Sequence, residues 1–449
     1  MKSSYFYALL AAYAFLMANA FALTLSPRRL SVGEVTLHGS LNTTCLATRG
    51  GTAYLHLDIR TAGFPEPDRS YRPKNIAVVL DRSGSMEHER KLEYAKEAVL
   101  RLLDELGSAD YLSIIVYDDR VQTLLPRDRV RDKERIRALI RGIRPGGATN
   151  LGGGMEAGFR EIEEFAGTAT VNRVILLSDG RANKGVTNLQ ELERIARSYR
   201  ARSVSLSAMG VGLDFNEDLM MGLAGAGGGN YYFIENPRTL ASIFETELGG
   251  IRRIALQNAT VRLSPGRGVR VRDVIGYEFE ADGRDILIPV GDLAANDRRE
   301  FIVELSIPPG SGSVRIASGT LSYAGCDETL PAFTADARYS DDVADVRRGT
   351  NWEIQAKADL ALSTREVDRA MRSLDAGRPE EAGAILSAAR TAVTSSAAVA
   401  NAPAVAPQAR AQERALLKFE AAVRDSSADA NRVKKSVQFE NYRLRKPRP

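Results

Sequence analysis

The stretch NIAVVLDRSGSM, residues 75–86, changes abruptly from apolar to polar side chains. Its first half is apolar without alternation, which indicates a strand that is buried on both faces. Its second half places Asp81, Ser83 and Ser85 at every second position. Alternate side chains of an extended segment point the same way, and Gly84 permits a tight backbone path between them. Three oxygen-bearing side chains therefore converge just past the end of the strand, where open α/β sheets bind ligands.

The residues around this stretch alternate between strand and helix patterns. From residue 74 to about residue 254, apolar runs such as RVILLSDG are followed by amphipathic segments such as NLQELERIARSYR. This alternation predicts an α/β domain with a doubly wound, mostly parallel sheet that has helices on both faces.

The segments on either side of this α/β domain have strand patterns only. Residues 23–73 alternate with period two and end in a proline-rich boundary. Residues 255–344 contain several strands separated by turn residues at the spacing of a β-sandwich. We therefore expect the two segments to form one β-sandwich into which the α/β domain is inserted.

The chain has two cysteines, Cys45 in the first β segment and Cys326 in the second. In an exported protein this arrangement favours a disulfide, which would close the sandwich around the inserted domain. Two unrelated buried thiols are the alternative. A structural zinc site would need histidine ligands as well, and the three histidines are scattered along the chain.

The N-terminal residues 1–22 have the layout of a secretory signal peptide, with one lysine, an apolar run and alanines at positions 18, 20 and 22. An uncleaved membrane anchor is the alternative, because the apolar character continues to Leu25. We expect an exported protein that is periplasmic, attached to the cell surface or secreted.

The C-terminal part is predicted to be helical. Residues 345–425 are rich in alanine with helical spacing of apolar positions, and Pro379 marks the start of one helix. Residues 426–449 form a basic tail, interpreted either as a solvated disordered segment or as one attracted to an anionic envelope surface. The formal net charge of +4 is too small to indicate nucleic-acid binding.

Two further loops of the α/β domain carry oxygen ligands. A glycine-rich loop presents Thr149 before a helix, and the loop SDG presents Asp179 after a buried strand. Loops after neighbouring strands of a doubly wound sheet lie side by side, so these side chains should join the three residues of the opening stretch. Asp118, at the end of another strand, either accepts hydrogen bonds in support of this site or is simply a strand-end residue, and we favour the second interpretation.

All five side chains offer hard oxygen atoms, which favours Mg²⁺, Ca²⁺ or Mn²⁺ over zinc or copper. Only two of them carry a charge, so a bound metal keeps water in at least one position and remains electrophilic toward solvent. A carboxylate of a partner protein would be able to displace that water.

The D-x-S-x-S stretch at residues 81–85, Thr149 and Asp179 resemble the metal-ion-dependent adhesion site of von Willebrand factor type A (vWA) domains. The resemblance covers residues 74–254, and the flanking β segments are more loosely similar to bacterial secreted and inter-alpha-trypsin-inhibitor-like members. It implies that Ser83, Ser85 and Thr149 contact the metal directly or switch into that role, whereas Asp81 and Asp179 often act through water. It also implies binding of a protein ligand that presents a carboxylate.

Enzymatic alternatives lack essential residues. HERKL at His88 has Leu92 where a metalloprotease helix requires its second histidine. A serine hydrolase would need a base beside Ser83 or Ser85 on a strained G-x-S-x-G turn, and the sequence has no such turn. We expect a non-enzymatic, metal-dependent binding protein. The alternative is a cell-envelope structural or assembly factor in which the metal only stabilises the fold.

Overall fold

The computed structural model describes residues 35–63, 72–167, 170–326, 330–425 and 429–445. The predicted signal peptide, residues 1–22, lies outside these ranges. None of the helices within them is long and apolar enough to cross a membrane.

The strands belong to three sheets, and the helices cover one of these sheets and form the C-terminal region. In chain order the strands are β1 (Val35–Leu41), β2 (Cys45–Ala47), β3 (Gly51–Thr61), β4 (Lys74–Asp81), β5 (Tyr111–Tyr117), β6 (Val121–Arg129), β7 (Val171–Ser178), β8 (Ser205–Val211), β9 (Gly228–Ile234), β10 (Ile254–Pro265), β11 (Arg270–Val274), β12 (Glu280–Asp282), β13 (Asp285–Ala294), β14 (Arg298–Ile307), β15 (Ser313–Ser322) and β16 (Leu330–Ser340). The α-helices are α1 (Lys91–Glu105), α2 (Lys133–Arg141), α3 (Leu151–Glu163), α4 (Leu189–Arg200), α5 (Glu217–Ala226), α6 (Leu240–Arg252), α7 (Val343–Arg348), α8 (Trp352–Asp375), α9 (Pro379–Thr394), α10 (Ala397–Ala400), α11 (Ala406–Arg424) and α12 (Ala430–Arg445).

The sheet of the α/β domain has the strand order β6-β5-β4-β7-β8-β9, parallel except for the antiparallel edge strand β6. Strands β4 and β7 lie at its centre, and every residue of both is buried. Alternate residues of β4 face two separate hydrophobic cores, one on each side of the sheet. This explains why the opening stretch is apolar without alternation, and it confirms the predicted α/β class with a mostly parallel, doubly wound sheet.

The two β segments share both sheets of a sandwich. One sheet has the order β1-β3-β14-β11 and the other β12-β13-β10-β15-β16-β2, so each combines strands from before and after the α/β domain. The chain enters the α/β domain at β4 and leaves it before β10. These two connections touch each other, because Arg72 Nη2 donates to the carbonyl oxygens of Ile254 and Ala255 at 3.0 and 2.7 Å.

Both cysteines lie among the described residues, and no disulfide joins them. Cys45 pairs with Arg338 near the end of β16, whereas Cys326 precedes the first residue of that strand, Leu330. A strand from Leu330 to Arg338 extends about 26 Å at roughly 3.3 Å per residue. A disulfide needs its Cα atoms within about 7 Å. The predicted Cys45–Cys326 bond is therefore wrong, because the two thiols lie at opposite ends of one strand.

The predicted solvated basic tail is wrong for residues 430–445, which form the amphipathic helix α12. Its apolar face packs on the C-terminal helices, and Tyr442 meets Tyr231 of β9 edge-on at 5.7 Å. The Nζ of Lys435 donates to Phe215 O at 2.7 Å. Glu217 forms ion pairs with both lysines of the helix. These buried pairs withdraw the two lysines from any anionic envelope surface.

Candidate metal centre

The candidate metal centre lies at the carboxyl ends of β4 and β7, where the chain switches from one side of the sheet to the other. Asp81 is the last residue of β4, and Asp179 directly follows β7. Asp81 Oδ1 accepts the backbone N–H of Ser83 at 2.8 Å, which turns the chain sharply after the strand. The sequence after this turn continues as a 3₁₀-helix, Gly84–Arg90.

The other predicted ligands lie around Asp179. Ser85 Oγ donates to Asp179 Oδ1 at 2.7 Å and lies 3.1 Å from Ser83 Oγ. A Cβ atom placed on Gly180 would lie 3.3 Å from Thr149 Oγ1 and 3.8 Å from Ser85 Oγ. The hydroxyl groups of Thr149 and Ser85 therefore border one small space above Gly180. The structure brings all five predicted side chains together at one edge of the sheet.

Burial dominates the electrostatics of Asp81. Its side chain is fully buried, with Oδ2 accepting a hydrogen bond from Ser178 Oγ at 2.7 Å. Burial raises the pKa of Asp81 to about 6 and the charge of Asp179 adds to the increase, against the opposing hydrogen bonds from Ser178 and Ser83. The two carboxylates repel each other, and a bound cation would relieve this repulsion.

The loop that carries Thr149 is held by groups that the sequence did not single out. The backbone N–H of Thr149 donates to Asn183 Oδ1 at 2.9 Å, and the N–H of Asn183 donates back to Thr149 O at 3.2 Å. Asn183 follows Asp179 by four residues, so one loop positions two of the candidate ligands. The only available sequence signal was an amide side chain three residues after the SDG segment, which the motif does not include.

Asp118 supports the site, which agrees with the alternative interpretation and not with the favoured one of a strand-end residue. Its carboxylate pairs with Arg82 at 2.9 Å and accepts the backbone N–H of Arg120 at 2.7 Å. Burial opposes ionisation, but the hydrogen bond from Arg120 and the charge of Arg82 outweigh it and lower the pKa of Asp118. Gly146 packs so closely on this carboxylate that a Cβ atom would overlap it. Asp118 thus fixes both the D-x-S-x-S loop and the loop before Thr149.

Replacing Gly146 by alanine should therefore weaken the candidate metal centre. The new methyl group collides with Asp118, the glycine-rich loop moves, and Thr149 leaves its position. We expect Mg²⁺ affinity, measured by calorimetry, to fall about tenfold, as for other changes in the support of metal ligands. Gly249→Ala is the control, because nothing lies within 4 Å of a Cβ atom there. Equal affinities of the two variants would contradict this role of Gly146.

The donor chemistry of the cluster fits a hard divalent cation. Carboxylate and hydroxyl oxygens suit Mg²⁺, Ca²⁺ and Mn²⁺. Within the described ranges, no group of three or more His, Cys, Asp or Glu side chains is placed to hold a metal. A metal at this edge of the sheet thus depends on the hydroxyl oxygens of Ser83, Ser85 and Thr149 as well as on the two carboxylates.

Comparison with known proteins gives one family match. The family model of the von Willebrand factor type A domain matches residues 75–246. The solved structure of a von Willebrand factor type A protein from Catenulispora acidiphila covers 91% of this chain and 97% of its own, with a TM-score of 0.73 and 17% identity. At this identity the likeness concerns the fold alone.

Two curated relatives match shorter parts. The uncharacterized protein YfbK of Escherichia coli (strain K12) is 26% identical over 251 residues, 54% of this chain. Inter-alpha-trypsin inhibitor heavy chain H3 of Rattus norvegicus is 29% identical over 160 residues, 34% of this chain. The matches span 43% of the first relative and 18% of the second.

Proposed function

We propose, from the premise that residues 75–246 form a vWA domain, that this protein is an exported, non-enzymatic binding protein. It captures an acidic side chain of a partner protein through a divalent metal. The observation that carries the proposal is the convergence of three loops on one edge of the sheet. The hydrogen bond of Ser85 to Asp179 joins the first two loops, and that of the Thr149 N–H to Asn183 joins the third. vWA domains commonly mediate protein–protein interactions.

The chain itself supplies the ligands and their support. When bound, the divalent cation supplies an electrophilic position that a carboxylate can occupy. Ser83, Ser85 and Thr149 provide uncharged oxygens for direct contact, and Asp81 and Asp179 provide the negative charge behind them. With only two carboxylates among its five candidate ligands, a divalent metal keeps at least one position for water. An acidic side chain of a partner is suited to replace that water. The signal-like composition of the N-terminal residues supports export.

The alternative function is a structural or assembly role in the cell envelope, in which the metal only stabilises the fold. Close packing of the C-terminal helices on the α/β domain favours this role. For example, Lys434 Nζ of α12 lies 2.6 Å from Asp375 of α8 and also pairs with Glu217 of the α/β domain. This contact needs no metal, and a protein built this way can act as a rigid spacer.

Metal-dependent capture distinguishes the two functions. We expect Mg²⁺ to bind the purified protein in calorimetry, and Thr149→Ala to weaken that binding at least about tenfold. The same protein, immobilised in Mg²⁺, should retain partners from an envelope extract of its native organism and release them in EDTA. Thr246→Ala removes the same atoms from an exposed position of α6 and should behave like the unchanged protein.

Each outcome decides between the functions. Partner retention that EDTA and Thr149→Ala both abolish supports capture through the metal. Retention that survives both treatments, with Mg²⁺ still binding, favours the structural role. Absence of Mg²⁺, Ca²⁺ and Mn²⁺ binding contradicts the metal-dependent proposal altogether.

A further inference from the structure

A lysine pairs with one carboxylate of the candidate metal centre. Lys91, the first residue of α1, donates its Nζ hydrogen to Asp179 Oδ2 at 2.8 Å. Its side chain is 5% exposed, and that of Asp179 is fully buried. The other oxygen of Asp179 accepts the hydrogen bond from Ser85. The protein's own donors thus occupy both oxygens of this carboxylate.

The backbone around Lys91 holds the lysine in this position. Gly212, in the loop after β8, has a φ of +78°, and a Cβ atom there would lie 3.1 Å from both Cε and Nζ of Lys91. Glu89 and Arg90 have φ values of 54° and 58°, a left-handed conformation that costs non-glycine residues energy. This unusual turn ends the 3₁₀-helix and starts α1 at Lys91, with the side chain against Asp179.

Lys91 reduces the net negative charge around the metal position. Asp81 and Asp179 together carry two negative charges, and Lys91 offsets one of them. Buried charges are poorly screened by salt and interact strongly, so a divalent cation near Asp179 meets a fixed repulsive charge. Without metal, Lys91 is a cationic partner of Asp179, and removing the partner of a buried carboxylate is strongly destabilising.

We infer that Lys91 is a resident counter-cation of the metal centre. It keeps Asp179 in place when no metal is bound, and it lowers the affinity for free metal. An acidic partner restores the missing negative charge, so metal and partner bind cooperatively, each strengthening the other by the same factor. This inference rests on the proposed metal-dependent function and assigns Lys91 the role of a positioning and affinity-setting residue.

Mn²⁺ titration, followed by electron paramagnetic resonance of the free ion, tests the inference on the full chain. Lys91→Met keeps the length of the side chain and removes its charge. Lys96→Met is the matched control, because Lys96 lies on the same helix, is 7% exposed and pairs with Glu93 outside the site. We expect Lys91→Met to bind Mn²⁺ at least about tenfold more tightly than the unchanged protein. Lys96→Met should not change the affinity.

Two further readouts follow the same variants. In EDTA the melting temperature of Lys91→Met should fall by about 6–10 °C, and saturating Mn²⁺ should restore it. Mn²⁺ should raise the melting temperature of Lys96→Met by no more than it raises that of the unchanged protein. Excess acetate, a minimal carboxylate, should tighten Mn²⁺ binding more in the unchanged protein than in Lys91→Met.

Lys91→Gln covers the case in which Lys91→Met does not fold in EDTA. Its amide can keep a hydrogen bond to Asp179 without the charge, and it should also bind Mn²⁺ more tightly. Affinities of these variants equal to or weaker than that of the unchanged protein overturn the inference and leave the proposed function standing. Failure of the unchanged protein and both variants to bind Mn²⁺ overturns the proposed function instead.

Discussion

Asp81→Asn is expected to reduce Mg²⁺ affinity about 100-fold, because it removes half of the negative charge of the site. The same substitution should make the metal-free protein more stable at pH 7. Burial raises the pKa of Asp81 to about 6. In the unfolded chain the pKa is about 3.9, so at pH 7 the buried charge costs stability, and asparagine removes that cost. The expected gain is about 2 kcal/mol, since some of the benefit is lost with weaker hydrogen bonds.

The pH dependence of this effect has a definite sign. Between about pH 4 and pH 6 the folded, metal-free protein binds a proton at Asp81 that the unfolded chain does not. The contribution of Asp81 to stability therefore falls as the pH rises through this window, and Asp81→Asn removes that part of the slope. Chemical denaturation in EDTA at pH 5 and pH 7 measures it, with Asp104→Asn at an exposed position as the control. Lower stability of Asp81→Asn at pH 7, or unchanged Mg²⁺ affinity, would contradict the prediction.

Arg173→Met should lower the free energy of unfolding by about 3–5 kcal/mol, the usual cost of removing one partner from a buried ion pair. Arg173 of β7 is 3% exposed. Its Nη1 donates to Ser207 Oγ at 2.9 Å, and its Nη2 donates to Asp292 Oδ2 at 2.8 Å. Glu247 of α6 lies 3.4 Å from the same guanidinium group. This network joins the α/β domain to the β-sandwich, because Asp292 belongs to β13.

Urea denaturation of Arg173→Met measures this loss. Arg262→Met is the control, because Arg262 is 40% exposed and pairs with two carboxylates at the surface of the sandwich. Surface ion pairs contribute up to about 1 kcal/mol, so this control should unfold almost like the unchanged protein. A similar small loss in both variants would show that the buried network does not hold the two parts together.

The fold class and the candidate ligands were accessible to sequence reasoning because both depend on local patterns. The apolar stretch before Asp81 and the alternation of strands and helices are local signals, and the structure confirms the doubly wound sheet. The family match confirms the vWA domain. The adjacency of Asp81 and Asp179 followed from topology, because loops at the carboxyl ends of neighbouring strands meet at one edge. Thr149 lies in the loop between α2 and α3, so only its resemblance to the vWA motif assigned it to the site.

The role of Lys91 was missed, and the less accurate of two interpretations was favoured for Asp118, because both roles depend on distant parts of the chain. In the sequence, Lys91 reads as an ordinary charged residue at a helix start, and only the position of Asp179 makes it part of the site. Asp118 gains its role from the close approach of Gly146, and nothing near either residue in the sequence indicates that approach.

The errors at the two ends of the molecule have the same origin. Strand patterns predicted a sandwich but did not fix which ends of β2 and β15 meet, so the cysteines were paired wrongly. The basic tail resembled a solvated segment because its carboxylate partner Glu217 lies more than two hundred residues away in sequence. Charge composition cannot reveal such partners, whereas the apolar spacing of α12 was a usable signal for a packed helix.

The placement of the two connections to the sandwich determines how the α/β domain would transmit mechanical force. Both connections leave from the end of the sheet opposite Asp81, and Arg72 ties them together. Tension between a captured partner and the sandwich would therefore run lengthwise along β4, which pairs over its whole length with β5 and β7. Pulling in that direction loads the hydrogen bonds of both strand pairs in shear, so many of them must break at once. The domain would therefore unfold less readily than a domain whose edge strand is pulled away one hydrogen bond at a time.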